Sequence, residues 1–299
     1  MKFPASVNIK SFITTPLFDE DVVCRRNDRY PGITVVMPSY NQGNFLERTI
    51  LSVLNQNYPN LEFIIIDGRS SDGSVEIIKK YEKYLAYWTS EKDLGQSDAL
   101  NKGFAMASGE IIGWQNSDDI YLPGAFSRAA GVFRDFRAAD VAYGNRLDID
   151  EQDHVIGESR FTRFSPVVFM YDGMSLGTQS TFFRRGLLEK TGTLDVDLNF
   201  AMDYDFFLRA AGKGACFKYV PFYFGAMRRH ENAKTEIYLG TGPHRKELSR
   251  VDERHGRIRS LNPPFRIYSL LFRSIHYFLQ GDGDYVWNGV KRRIRNIRN

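Results

Sequence analysis

Cysteine is nearly absent: Cys24 and Cys216 are the only two, far apart and without a neighbouring His or Cys. This excludes a disulfide framework and a thiolate metal site, and makes a reducing cytoplasm the default expectation. Long apolar runs are lacking too. None approaches the ~20 residues that cross a bilayer, and the opening MKFPASVNIKSF has no apolar core of signal-peptide length. The body of the chain also lacks an excess of either charge. Lys and Arg number 40 against 36 Asp and Glu, yet Lys291, Arg292, Arg293, Arg295 and Arg298 all fall in the last nine residues, which hold no acid, leaving 35 against 36 elsewhere. A nucleic-acid groove needs basic residues spread over a face, so no nucleic-acid partner is expected. No G-x-G-x-x-G follows the first apolar run and no G-x-x-x-x-G-K-[ST] occurs anywhere, so hydride transfer and NTP hydrolysis lose support. No internal repeat is found.

What remains is an ordinary globular composition, 42% apolar and 25% charged over 299 residues, enough for a sizeable core. Ile33 to Met37 is a continuous run rich in β-branched residues, Leu61 to Ile66 is a second mostly apolar run, each is closed by turn residues, and both predict buried strands. Between them Leu46, Ile50, Val53 and Leu54 fall on one helical face, with Asn44 and Glu47 at capping-box spacing. Strands over Leu85–Thr89 and Ile111–Gln115 with a helix over Gln96–Ala107 continue the alternation, which specifies a parallel α/β sheet covered on both faces, with ligands at the carboxyl ends of its strands. Past Phe136 the pattern loosens into an α+β region with strands over Val141–Gly144, Val155–Phe161, Thr178–Phe183 and Ala215–Val220, and helices near Gly186–Lys190 and Asp203–Ala211. The expected organisation is an N-terminal extension over 1–30, one main domain over 31–240 and a helical basic region over 241–299. The first 30 residues show no periodicity.

Acids collect where the strands end: Asp67, Asp93 and Asp98, and Asp118 with Asp119. Carboxylates crowded on one edge repel unless a cation is shared, and hard divalent ions take oxygen ligands while keeping phosphates and water, so a metal–diphosphate site fits. Four ordered blocks then carry a resemblance: VVMPSYNQGNFLERTILSVLNQNYPNLEFIIIDGRSSDGSVEIIKKY, SEKDLGQSDALNKGFAMASGEIIGWQNSDD, QSTFFRR and MDYDFFLR. Over about Ile33 to Thr235 the chain resembles glycosyltransferase family 2, with the GT-A fold. The resemblance implies an inverting hexosyltransferase of bacterial polysaccharide biosynthesis, using a nucleotide-sugar donor (a UDP-sugar favoured), a Mg or Mn ion, and a saccharide or lipid-linked acceptor.

Carried over residue by residue, the resemblance implies that Pro38, Ser39 and Tyr40 form the turn against the nucleotide and that Asp67 accepts from the base. Asp98 and Asn101 would line the donor site. Asn116 and Asp118 stand at the two ends of the family's D-x-D motif, with Asn116 departing from aspartate, so Asp118 is the metal ligand and Asn116 a contact to ribose or a metal-bound water. Asp119 is either a second ligand or the N-cap of a helix beginning near Pro123. Asp203 matches the acceptor-side base, with Met202 where the family often has glutamate. His230 resembles a late histidine that approaches metal or diphosphate. Bland readings stand beside these: Asp72 and Asp98 as helix caps, Asp205 as a structural or solvated acid two residues from Asp203, His230 as a solvated surface histidine. The expected reaction is single displacement with Asp203 as base. Its rivals are a silent nucleotide-sugar-binding protein, argued from Asn116 and Met202, and a nucleotidyltransferase, which lacks the basic Gly-rich loop it would need. At the C-terminus an amphipathic helix after Pro263-Pro264 carries a narrow polar stripe of Arg266, Ser269, Arg273, His276 and Gln280. Its apolar faces are expected to pack on the main domain, the commoner fate; the basic tail beyond suits peripheral contact with an anionic membrane at its inner face.

Overall fold

The structure is a computed structural model that describes residues 9–24, 27–173, 176–258 and 261–287. In chain order the elements are α1 (Ile9–Thr14), α2 (Glu20–Cys24), β1 (Ile33–Ser39), α3 (Gly43–Leu54), β2 (Leu61–Asp67), α4 (Ser74–Lys80), β3 (Tyr87–Ser90), α5 (Gln96–Met106), β4 (Ile111–Trp114) and β5 (Ile120–Tyr121). Then come α6 (Ala125–Asp135), β6 (Val141–Ile149), β7 (Val155–Ser159), α7 (Pro166–Asp172), β8 (Thr181–Arg184), α8 (Gly186–Thr191), α9 (Met202–Gly212), β9 (Phe217–Arg228), α10 (Lys234–Tyr238), α11 (Gly242–Arg254) and α12 (Asn262–Leu279). The strands form one mixed sheet in the order β3-β2-β1-β4-β8-β6-β9-β5, with β7 paired to β6. The α/β expectation holds.

The first half is parallel: β1 pairs with β2 and β4, and β2 with β3. The interior of β1 and β2 is mostly apolar because both faces are covered; Thr34 and Glu62, at their amino ends, hydrogen-bond to each other. Ile33, Val35 and Met37 point into a core with Leu46, Ile50 and Phe126 from α3 and α6, whereas Val36, Ile112 and Trp114 face Leu100 and Phe104 of α5 and Phe206 of α9. The chain leaves β1 first toward β2 and later returns on its other side as β4, so the topological switch point lies between β1 and β4. Their carboxyl ends are where a ligand belongs. The register sets Ser39, Asp67 and Ser90 side by side along that edge.

Several expectations are corrected. The Asn44–Glu47 capping box is not formed: α3 begins at Gly43 with Gln42 as N-cap and no side-chain cap bond. The Glu47 carboxylate instead accepts from Lys80 Nζ and the Tyr81 hydroxyl, 2.5 and 2.8 Å away on the neighbouring segment. The start of α3 is closed by Asp72, which accepts from Gly43 N at 2.8 Å and, through its other oxygen, from Ser74 N at the head of α4. Asp119 caps no helix, since α6 begins at Ala125 behind Gly124. Residues 178–180, expected as strand, form a 3-10 turn before β8. The N-terminal extension is packed rather than patternless, with α1 burying Ile9 and Ile13 against Ile120, Leu147 and Ile149.

The C-terminal helix reverses its expected orientation. α12 docks on α7 through its polar stripe: Ser269 is fully buried, Arg273 pairs with Asp172 at 2.7 Å, and Tyr277 Oη donates to Arg160 O. Its apolar side points out. The basic residues Lys291 to Arg298 lie outside the described residues.

Candidate active site

Strand ends build the site from the β1 side. Pro38 and Ser39 are buried at the end of β1 and Tyr40 beyond them is exposed. Asn41, in the left-handed region at φ 50°, exchanges bonds with the β2 loop: its N–H donates to Ser70 Oγ and its side chain accepts from Ser71 N. Asp67 is fully enclosed, accepting from Ser70 N, Ser70 Oγ and Ser90 Oγ at 2.6–2.9 Å. Only one of its acceptor positions, on Oδ1, is left without a protein donor. At the switch point, Ser39 Oγ and both amide atoms of Gln115 are buried without a protein partner, an uncommon state for interior polar groups.

From the β4 side, Asn116 spends its amide on the protein. Its oxygen accepts from Gln96 Nε2 and Trp114 Nε1, and its nitrogen donates to Asp119 Oδ2. Asp119 is likewise committed, receiving Gln179 Nε2 at 2.7 Å and Arg228 N at 2.9 Å. Burial, and secondarily the charge of Asp118, pushes its carboxyl above the ordinary range. Asp118 differs. Its carboxylate reaches the surface of the cleft, and Oδ2 lies 3.1 Å from Nε2 of a buried His230, whose ring sits 4.5 Å from that of Phe45. His230 is thus no solvated surface residue.

No three His, Cys, Asp or Glu side chains converge as a metal cage among the described residues. One carboxylate with an adjacent imidazole fits a hard cation whose remaining ligands come from phosphate and water, and does not fit a protein-only cage. Asp119 accepts three protein hydrogen bonds, which tie its loop to Asn116, Gln179 and β9.

Beneath the pair lies Arg228, 1% exposed. Its guanidinium donates to the carbonyls of Asp118 and Asp150 and to the carboxylate of Asp153, and lies over Phe45. Arg48 braces Asp153 from the other side. Gln179 reaches Asp119 because β9 carries Gly225 there: a Cβ at that position would stand 2.1 Å from Gln179 O. Gly225→Ala should therefore cost about 1–3 kcal/mol in urea unfolding; an unchanged midpoint would show that the 3-10 turn yields freely.

A bridge joins this cluster to the second acid site. Gln96 bonds Asn116, Lys234 Nζ donates to Gln96 Oε1 at 3.0 Å and contacts Asn199 O at 3.4 Å, and Lys234 lies within reach of the charges of Asp118 and Asp93. Asn199, Phe200 and Ala201 give their N–H groups to Glu247 of α11, which sets the start of α9. Asp203 stands there, in the first turn. Burial lifts its carboxyl to about 6, outweighing the two backbone N–H groups that pull it down. Asp205, two residues on, goes the other way: burial would raise it, but bonds from His255, Arg209 and Arg254 hold it at about 2. Environment pushes the two carboxyls apart, and the one at the higher value suits proton transfer near neutrality.

Two expected donor-site residues lie elsewhere in the bonding. Asn101 clamps Leu194 through both its N–H and C=O, and Asp98 accepts from Leu94 N and pairs with Lys102. A cavity of about 680 Å³ lined by Tyr30, Gly32, Glu110 and Arg184 opens at the amino ends of β1 and β4, away from this edge.

The model of glycosyl transferase family 2 matches residues 34–192, just over half of the chain. The chain belongs to glycosyltransferase family 2. An uncharacterized glycosyltransferase of Mycobacterium tuberculosis is 33% identical over 186 residues, covering 60% of this chain and 69% of the relative. The putative teichuronic acid biosynthesis glycosyltransferase TuaG of Bacillus subtilis is 37% identical over 94 residues, 30% of this chain and 36% of TuaG. Among solved structures, S. aureus TarS 1–349 in complex with UDP-GlcNAc superposes with a TM-score of 0.63 at 16% identity, covering 83% of this chain and 75% of that one. Mannosyltransferase PcManGT of Pyrobaculum calidifontis, in complex with GDP-Man and Mn2+, gives 0.55 at 17% identity over 88% and 79%. At such identities the structures establish the GT-A fold. The glycosyltransferase thus transfers sugar from a nucleotide-sugar donor, and no helix among its described residues is long and apolar enough to cross a membrane.

Sequence reading passed over Gln96, Gln179, Arg228 and Lys234. Three of them stand inside the quoted motifs or beside His230, but nothing in their spacing says which carboxylate they meet.

Proposed function

We propose that the glycosyltransferase inverts the anomeric carbon in a single displacement, with Asp203 as the base. The observation that carries this reading is the largely buried carboxyl of Asp203, raised to about 6 at the head of α9, just past Asn199, whose carbonyl contacts the Lys234 ammonium that lies within reach of the charge of Asp118. Asp203 takes the proton of an acceptor hydroxyl as that oxygen bonds to the anomeric carbon, and the bond to the diphosphate oxygen breaks with its electron pair leaving on the nucleoside diphosphate. No covalent glycosyl-enzyme forms. Asp118 and His230 would hold a Mg or Mn ion, which supplies electrostatic stabilisation to the diphosphate. Lys234 meets the same charge from the cleft rim. Pro38, Ser39 and Tyr40 hold the nucleotide, with uridine favoured; the TarS complex with UDP-GlcNAc supports that choice. The acceptor class is a saccharide or lipid-linked saccharide of a bacterial polymer, in keeping with the putative role of TuaG in teichuronic acid biosynthesis. Residues 31–240 carry donor and base, and the region after 240 contributes Glu247 to position α9. Two lone, exposed cysteines suit action in a reducing cytoplasm.

Donor binding with and without metal tests the assignment. Asp118→Ala should weaken binding only when metal is present, by at least the roughly 10–100-fold that loss of even an outer-shell partner costs. Equal losses in both conditions would remove Asp118 from the cation site. Intact binding with no transfer by the parent protein would favour the silent reading.

A further inference from the structure

α12 is amphipathic in the inverted sense. Ile267, Leu270, Leu271, Ile275 and Phe278 recur at helical spacing, each is more than half exposed, and they form one stripe opposite the buried Ser269. An apolar stripe of this extent on an outer helix marks an interaction surface. The helix is 18 residues and so about 27 Å long. Its inward side is fixed by Arg273 on Asp172, Phe265 on the Tyr171 ring and Tyr277 on Arg160, so it cannot roll to hide the stripe without breaking those contacts.

We propose that this face docks on an anionic lipid surface. Charge selects the occupant. Between Asn262 and Leu279 the helix carries no acid; with Arg273 spent on Asp172, Arg266 is its exposed base, and the sequence holds five basic residues without an acid in its last nine positions. A second copy laid on the same stripe would offer these cations no carboxylate from its own α12. A bilayer rich in phosphatidylglycerol offers an acyl boundary for the stripe and anionic headgroups for the flanking bases, each base contributing through the surface potential. α7 lies between α12 and the catalytic layer, with Tyr204, the neighbour of Asp203, bonded to Met170 O on α7. Docking through α12 therefore holds the acceptor-side layer next to lipid. The docking stands on the helix alone and does not depend on the reaction proposed above.

The test is co-sedimentation of the full chain with vesicles of phosphatidylcholine alone or mixed with phosphatidylglycerol, at low and high salt. The chain should partition onto the anionic vesicles and be released by salt. The double variant Leu271→Glu, Ile275→Glu should lower that partition by about 10-fold or more, with an unchanged thermal midpoint and unchanged donor binding. Phe278→Ser, a milder change on the same stripe, should lower it in the same direction. Failure of the parent to bind anionic vesicles overturns the proposal, as does binding that the stripe variants leave intact. A concentration-dependent dimer abolished by the same variants, without vesicle binding, assigns the face to a second copy instead.

Discussion

Asp203→Asn will yield a protein that transfers sugar at least about 100-fold more slowly, the usual scale for loss of a general base, yet unfolds at a higher temperature than the parent at neutral pH. Both effects come from one cause. Burial lifts the Asp203 carboxyl from 3.8 to about 6, so the folded protein prefers the protonated acid more than the unfolded chain does. The stability this group contributes is full below about pH 4 and is lost as pH rises through about 6, amounting to roughly 3 kcal/mol at most by linkage. Asparagine has no charge to desolvate and its amide oxygen still accepts from Tyr204 N, so the variant keeps what the parent loses. Its advantage should grow across pH 4 to 6 and vanish in acid. Transfer by the parent should follow the opposite course, falling below about pH 6 as the base becomes protonated. A variant with undiminished transfer, or with a stability gain independent of pH, would take Asp203 out of the mechanism.

The second large effect is expected at Arg228. Arg228→Met removes the partner of a buried Asp153 and two carbonyls, leaving Asp153 with Arg48 alone. Breaking a buried pair from one side costs about 3–5 kcal/mol. Adding Asp153→Asn removes the stranded charge and keeps a residue that tolerates the left-handed backbone there (φ 72°), so the double variant should regain much of that loss in chemical denaturation. It should not regain metal-dependent donor binding, because the bond from Arg228 Nε to Asp118 O that holds the loop is still missing. A single variant within about 1 kcal/mol of the parent would contradict the ion-pair cost; a double variant that binds donor normally would show that Arg228 serves stability only.

The parallel half of the fold was legible because its physics is local. A strand covered on both faces has mostly apolar positions, so Ile33 to Met37 and Leu61 to Ile66 announce themselves, and the polar residues that follow mark the ligand edge. The distinction between Asp203 and Asp205 was legible as well, since residues two apart on a helix meet different surroundings. Arg228, Lys234 and Gln179 were not, because their partners lie 110, 138 and 60 residues away in the chain, and no spacing rule reaches that far. α12 shows a different limit. A periodic pattern establishes that a helix has two unlike sides, and leaves open which side turns inward; Asp172, Arg160 and the buried Ser269 decide that here.

The distance in sequence between the two halves of the proposed cation site bears on when that pair comes together. Asp118 and His230 are 112 residues apart, and Asp119 meets the Arg228 backbone across 109. β1, β2 and β3 pair close in the chain, Ile33 with Leu61 and Ile64 with Tyr87, whereas β9 must find β5, Ile120 with Ala226, before Arg228 and His230 arrive. Contacts of long separation repay their loop-closure entropy late in folding. On a ribosome, the first hundred or so residues can close their sheet and present the nucleotide edge while the cation site does not yet exist. A partly made chain therefore holds the strand-end edge proposed for the nucleotide and none of the residues proposed for the cation or the base.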